Sequence, residues 1–199
     1  AASLLGDDTA RLQGRVSANP LRHVDPFGTV VLPAMLLIAG GFLFGWAKPV
    51  PVNFNRLNPR RLGMVLVAAA GPGINFALAA FSALAMRGAV AVPEPFGAWL
   101  LANLENSVLI NLILAVFNMI PLPPLDGGRV LVGLLPRPLA RHVERIEPMG
   151  LLIILVALFL LPMLGRALGF NLNIFGWLIG GPVDWLLQLI APLSGGAFS

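Results

Sequence analysis

The sequence predicts an all-α polytopic membrane protein, and three observations predict it. Of its 199 residues 57% are hydrophobic and only 11% charged, where an ordinary soluble domain is roughly a quarter charged. The apolar residues gather in runs, at about 27–46, 62–86, 100–121 with a continuation to 135, 150–168 and 172–193; all but the first can cross a hydrocarbon core that takes roughly 20 residues. The basic residues fall singly in the polar connections between runs, where they orient membrane segments and form no nucleic-acid stripe. The expectation is about four transmembrane helices in one membrane-embedded domain over 1–199, with the lipid bilayer and no nucleic acid as partner. There is no cysteine, so neither a disulfide nor a thiolate metal site can be argued.

The first stretch, "AASLLGDDTARLQGRVSANP", lacks an initiating Met, a basic n-region and an apolar core. It reads as neither a signal peptide nor a natural start, and the chain looks cut from something longer. Arg11, Arg15 and Arg22 place it in the cytoplasm, as Lys48, Arg56, Arg60 and Arg61 place 47–61 and Arg129, Arg137, Arg141 and Arg145 place 129–148. The connection 87–98, with Arg87 alone at its edge, falls outside.

Run 27–46 therefore lies between two cytoplasmic segments and should not cross. Pro33 and the Gly40–Gly41 pair offer turning points inside the membrane, tolerated where the irregular backbone is buried in protein or lines a cavity. We read 27–46 as a re-entrant hairpin, followed by an extended "KPVPVN" because each proline disfavours helix in the residue before it.

Helix 62–86 then runs outward and 100–121 returns. "PLPPLDGGRV" interrupts the next stretch: Pro121, Pro123 and Pro124 remove backbone donors, and Gly127 and Gly128 allow a sharp turn. The helix reaching Asn118 is expected to stop and another to restart near Val130, giving a broken membrane helix at 121–128. Such breaks leave polar backbone groups in need of partners and mark ligand or ion sites in membrane proteins. Asp126 sits at the break, where a carboxylate is costly unless paired, protonated or coordinating a metal. The bland alternative is a surface carboxylate capping the following helix.

At these residues the chain resembles the site-2 proteases, intramembrane zinc metalloproteases whose signature runs Asn-x-x-Pro-x-Pro-x-x-Asp-Gly. "FNMIPLPPLDGGRVL" carries it, and "GDDTARLQGRVSANPLRHVDPFGT", "FGWAKPVPVN" and "AAAGPGINFALA" follow the order of prokaryotic members. The resemblance implies intramembrane zinc-dependent proteolysis of membrane-spanning substrate helices, and a multi-pass location in a prokaryotic plasma membrane. It makes Asp126 the carboxylate ligand of a catalytic Zn2+, in a site of two histidines and one acid that keeps a position open for water. Asn118 matches an asparagine beside the active site, able to hold substrate or an oxyanion or to make an interhelical hydrogen bond. Asn75, in "GPGIN", is a substrate-binding candidate that also reads as packing glue beside small residues.

One departure outweighs the matches. The family's other two ligands and its general base come from H-E-x-x-H, two histidines on one helix face with a glutamate acting on the metal's water. Only His23 and His142 are present, each isolated. In relatives the motif lies a few residues before the segment resembling "AASLLGDD", so truncation is the simplest account, and the chain as written is expected to be unable to assemble the zinc site. His23 with Asp25 and Asp126 forms a rival ligand set, although a polar segment before a proline suits a backbone-bonded histidine better. His142 among Arg141, Glu144 and Arg145 reads as a solvated helix face, Glu94 as an interface residue, and Glu105 as a carboxylate near the positive end of its helix. Two alternatives stay open: a catalytically dead relative that binds membrane helices, and a small transporter with an ion site at the break, which would call for a second break in the other half.

Overall fold

The computed structural model describes residues 1–17, 19, 24–38 and 50–198. Every regular element among them is helical, and they fall into two compact units, Ala1–Gly63 and Met64–Ser199.

In the first unit a short turn, Ser3–Leu5, ends on Gly6 at φ +97°, a conformation open to glycine for want of a Cβ. Asp7 follows, and a four-residue helix, α1 (Thr9–Leu12), begins two residues on. The Asp7 side chain is 2% exposed. It accepts the Thr9 hydroxyl, the Thr9 N–H at 3.1 Å and the Asn53 N–H at 2.7 Å, while the Asn58 N–H reaches the Leu5 carbonyl at 2.9 Å. One buried carboxylate thus ties the start of the chain to 50–58. The Thr9 hydroxyl bond, with help from the backbone donors and Arg56 and against burial, holds the Asp7 carboxyl below its ordinary value.

Asp25 caps the next helix by accepting the N–H groups of Phe27 and Gly28 at 3.1 and 2.8 Å, as an N-cap carboxylate does. A wide π-turn, Pro26–Val31, runs straight into α2 (Leu32–Ile38). The expected turning point at Pro33 is therefore helical. The second one, Gly40–Gly41, and the rest of the 27–46 hairpin from 39 onward lie outside the described residues, as do 47–49 at the start of the extended segment.

The second unit contains most of α3 (Arg60–Ala89), then α4 (Phe96–Asn118), α5 (Asp126–Leu134), α6 (Arg137–Leu155), α7 (Leu161–Leu168) and α8 (Ile174–Ile190). A π-turn, Val156–Leu160, makes α6 and α7 continuous, so among the described residues three helices are long and apolar enough to cross a membrane: Arg60–Ala89, Phe96–Asn118 and Arg137–Leu168. The protein is an all-α polytopic membrane protein. The fifth apolar run becomes α8, a shorter helix of 17 residues.

One boundary differs from expectation. Charge alone makes the arginine-rich 129–148 a connection, yet Arg137 already opens α6, with Pro138 in its first turn where no intrahelical N–H is needed. Helix α6 therefore begins as an amphipathic segment and becomes wholly apolar after Gly150.

Small residues let three helices meet. Ala79 and Ala83 of α3, Val108 and Leu112 of α4, and Val183 and Ile190 of α8 form one buried cluster. Ser82 and Ser107 pair across α3 and α4 at 2.8 Å, the kind of polar contact that joins helices where lipid offers no hydrophobic drive. Arg87, at the end of α3, donates to the carbonyls of Leu193 and Pro192 at 2.6 and 3.0 Å, tying the end of α3 to the short turn, Ala191–Ser194, that follows α8. Large side chains such as Phe81, Trp177 and Trp185 stand more than 60% exposed, a surface suited to hydrocarbon.

Candidate active site

The break falls where the prolines place it, and its inner construction is different. α4 ends at Asn118, and α5 begins at Asp126 itself, four residues ahead of the expected restart at Val130. Between them the chain is pinned by short backbone bonds, among them Leu122 N–H to Ile120 O at 2.7 Å and Leu125 N–H to Leu122 O at 3.0 Å. Gly127 and Gly128 do not make the turn. They lie in the first turn of α5, and neither has a positive φ.

Their use is close packing. A Cβ on Gly127 would fall 2.2 Å from the Met119 carbonyl oxygen, and one on Gly128 would fall 2.3 Å from the Pro123 nitrogen. On the other side of the loop, a Cβ on Gly150 of α6 would fall 1.7 Å from the Pro123 carbonyl oxygen. Three bare backbones thus enclose 119–123, and Pro123 is buried among them.

Asp126 is the first residue of α5 and is half-buried. Its carboxylate gains from the positive end of the helix, but it is not the N-cap. That place is taken by Leu125, which has no side-chain cap, so the bland capping alternative is not what forms. The carboxylate lies against α3, where a Cβ on Gly71 would stand 3.1 Å from Oδ2. Asn75 sits one turn further along α3, on the same face as Gly71, and is half-buried. Asn118 turns its amide nitrogen back on its own helix, donating to the Leu114 carbonyl at 3.0 Å. One amide proton and the amide oxygen are left for other partners.

Beside the break is an apolar cavity of about 790 Å³, walled by Pro72, Gly73 and Phe76 of α3, Met119 and Pro121 at the break, and Leu178 of α8 among others. On α3 its walls are residues other than Gly71, the one that meets Asp126.

The other sequence candidates are placed differently. His142 is exposed on α6 and its Nδ1 lies 2.8 Å from the Pro138 carbonyl, a solvated face as expected. Asp25 is committed to capping, and His23 lies outside the described residues. Glu105 falls well inside α4, which begins at Phe96; the dipole contribution expected for it fades within the first turn. Among the described residues no three of His, Cys, Asp and Glu come together to hold a metal. These residues therefore offer a zinc ion one carboxylate, Asp126, and do not fit a complete zinc site.

Over 166 residues, 79% of this chain and 70% of its relative, the sequence is 40% identical to YwhC of Bacillus subtilis. The chain belongs to peptidase family M50. The family model itself, Peptidase family M50, matches residues 82–161, a span that includes α4, the break, α5 and all of α6. Rip2 of Mycobacterium tuberculosis is 29% identical over 184 residues, covering 92% of this chain and 64% of Rip2, and Rip2 of Mycolicibacterium smegmatis 26% over 162 residues. YwhC and Rip2 bear names that class them as candidate zinc metalloproteases. The chain thus spans 60–70% of the length of these relatives. No solved structure matches it.

For this M50 chain, two participants escaped sequence reasoning. In the sequence Gly71 is one of the small residues of "GPGIN", and nothing local marks Gly150. Gly71 precedes Asp126 by 55 positions and Gly150 follows Pro123 by 27, so no local pattern links them.

Proposed function

We propose that this chain is part of an intramembrane zinc-dependent protease that cuts membrane-spanning helices of other proteins, in a prokaryotic plasma membrane. The observation that carries the reading is the place of Asp126 in an M50 chain: the first residue of a restarted helix, half-buried, against bare backbone on α3. Bacterial relatives with zinc metalloprotease names support the reaction class and the location.

In this reading Asp126 is the carboxylate ligand, held in place by the glycine-enclosed loop before it. Zinc, when bound with two further ligands, would supply Lewis acidity toward the peptide carbonyl and water. Asn118, with an amide proton and oxygen still available, would hold substrate or the developing oxyanion, and Asn75, on the face of α3 that meets Asp126, would contact the substrate backbone. The apolar cavity would take apolar side chains of a substrate unwound beside the break, since a helical peptide bond is shielded by its neighbouring turns.

The test is reconstitution of the natural protein in vesicles with a membrane-spanning substrate. Cleavage that a chelator abolishes and zinc restores is the expected result, and cleavage indifferent to chelation would remove the proposal. Asn118→Ala is expected to lower turnover by about 10²-fold without releasing metal, by analogy with the loss of an oxyanion donor.

A further inference from the structure

We infer that Gly71 is a positioning residue for the Asp126 carboxylate. Its missing side chain is the space that lets the carboxylate lie against α3, so the residue at 71 sets where Asp126 points. The inference rests on the proposed protease reading for its consequence in catalysis, and on geometry alone for the contact.

A Cβ at Gly71 would stand 3.1 Å from Asp126 Oδ2, closer than carbon and oxygen sit in ordinary van der Waals contact, so one of them must move. α3 cannot yield easily, because Ala79, Ala83 and Ser82 further along it are locked against α4 and α8. The base of Asp126 cannot yield either, because the flanking Gly127 and Gly128 already touch the backbone of Met119 and Pro123. What remains free is rotation of the carboxylate, which moves its oxygens off their present line. The shift needed is a few tenths of an ångström, a large part of the roughly half an ångström within which a ligand or base must be held. Among the glycines of α3 the crowding is selective: a Cβ on Gly73 or Gly88 would meet nothing within 4 Å, one on Gly63 would fall 2.9 Å from Leu57 Cβ, and one on Gly71 meets the carboxylate.

A second reason for glycine at 71 competes with this one. Gly71 precedes Pro72 inside α3, and the proline ring clashes with a Cβ on the preceding residue in helical conformation. That explanation is local and owes nothing to Asp126. The two reasons separate in a double-substitution cycle, because removing the carboxylate relieves a crowding cost and leaves a proline cost untouched.

The experiment measures thermal unfolding of the natural protein in detergent for wild type, Gly71→Ala, Asp126→Ala and Gly71→Ala/Asp126→Ala, with Gly88→Ala as control. Positioning predicts that Gly71→Ala lowers the melting temperature in the wild-type background by several degrees more than in the Asp126→Ala background. Equal shifts in both backgrounds would overturn the inference in favour of the proline explanation. If Gly71→Ala fails to fold, recovery of folding in the double variant supports the contact, and failure of both overturns it.

On activity, Gly71→Ala is expected to lower kcat about tenfold and Gly71→Val at least a hundredfold with KM little changed, while Gly88→Ala leaves both as they were. Unchanged kcat in a protein that cleaves would defeat the inference while leaving the protease reading standing. A protein that cleaves nothing would defeat the protease reading, and the unfolding cycle would still decide the contact.

Discussion

The backbone of Gly150 lies directly on the carbonyl group of Pro123: a methyl group added to Gly150 would come within 1.7 Å of that oxygen. α6 thereby forms the back wall of the loop that carries Asp126. The opposing atom is backbone of the buried Pro123, so it cannot step aside as a flexible side chain would. Gly150→Ala is expected to destabilise the protein by about 3 kcal/mol, at the upper end of ordinary overpacking costs. Gly88→Ala, in open space on α3, is expected to be neutral or slightly stabilising, since alanine is the better helix former. Chemical unfolding in detergent micelles checks both. Equal stability for the two variants would mean that α6 and the loop are not in this contact.

How much of this was legible beforehand follows from whether the cause is local. Pro121, Pro123 and Pro124 act on their own backbone, and the stop at Asn118 was read from them correctly. The long apolar spans were legible for the same reason, because hydrophobic length is a property of a contiguous segment. The roles of Gly127 and Gly128 were misread. A glycine pair after prolines signals a turn, but here the missing Cβ atoms serve packing against Met119 and Pro123, which depends on the folded loop. The opening of α6 at Arg137 was missed because an amphipathic helical start looks like a charged connection when only apolar length is counted. The contact of Gly71 with Asp126 is long-range, and no composition or spacing rule reaches across it.

Asp7 supplies a prediction on pH. Its folded carboxyl titrates below its ordinary value of 3.8, chiefly through the Thr9 hydroxyl. The charged form is thus favoured by folding. The contribution is fully present above that ordinary value and is lost as the pH falls through the lower folded value. Amide exchange at Thr9 and Asn53, the two backbone donors to this carboxylate, is expected to be slow near neutrality relative to Asp7→Ala, and the two proteins should converge only once the pH has fallen below the lowered folded value, itself under 3.8. Equal protection in both proteins at pH 7 would show that the carboxylate does not fasten 50–58 to the N-terminal turn.

Loop charge supplies a prediction on topology. Lysine and arginine place 1–26 and 47–61 on one membrane face, and place 87–98 and 129–148 on opposite faces. The chain has no cysteine of its own, so single cysteines report cleanly. Ser17→Cys and Asn55→Cys should label from the same side, and Gly97→Cys and Arg141→Cys from opposite sides. Labelling of Ser17→Cys and Asn55→Cys from opposite faces would make 27–46 an ordinary spanning helix and end the hairpin reading.

The most direct test of the account is the fate of Asp126 in the natural protein. Asp126→Ala removes one carboxylate at the first residue of α5 and leaves every apolar span its full length, so insertion and expression should match wild type. The measurement is cleavage of a membrane-spanning substrate in vesicles, with bound zinc counted by metal analysis on the same samples. The account predicts loss of both tightly held zinc and cleavage in Asp126→Ala, with membrane insertion intact. Cleavage at the wild-type rate by Asp126→Ala would contradict it, because the carboxylate at the break would then have no part in the chemistry.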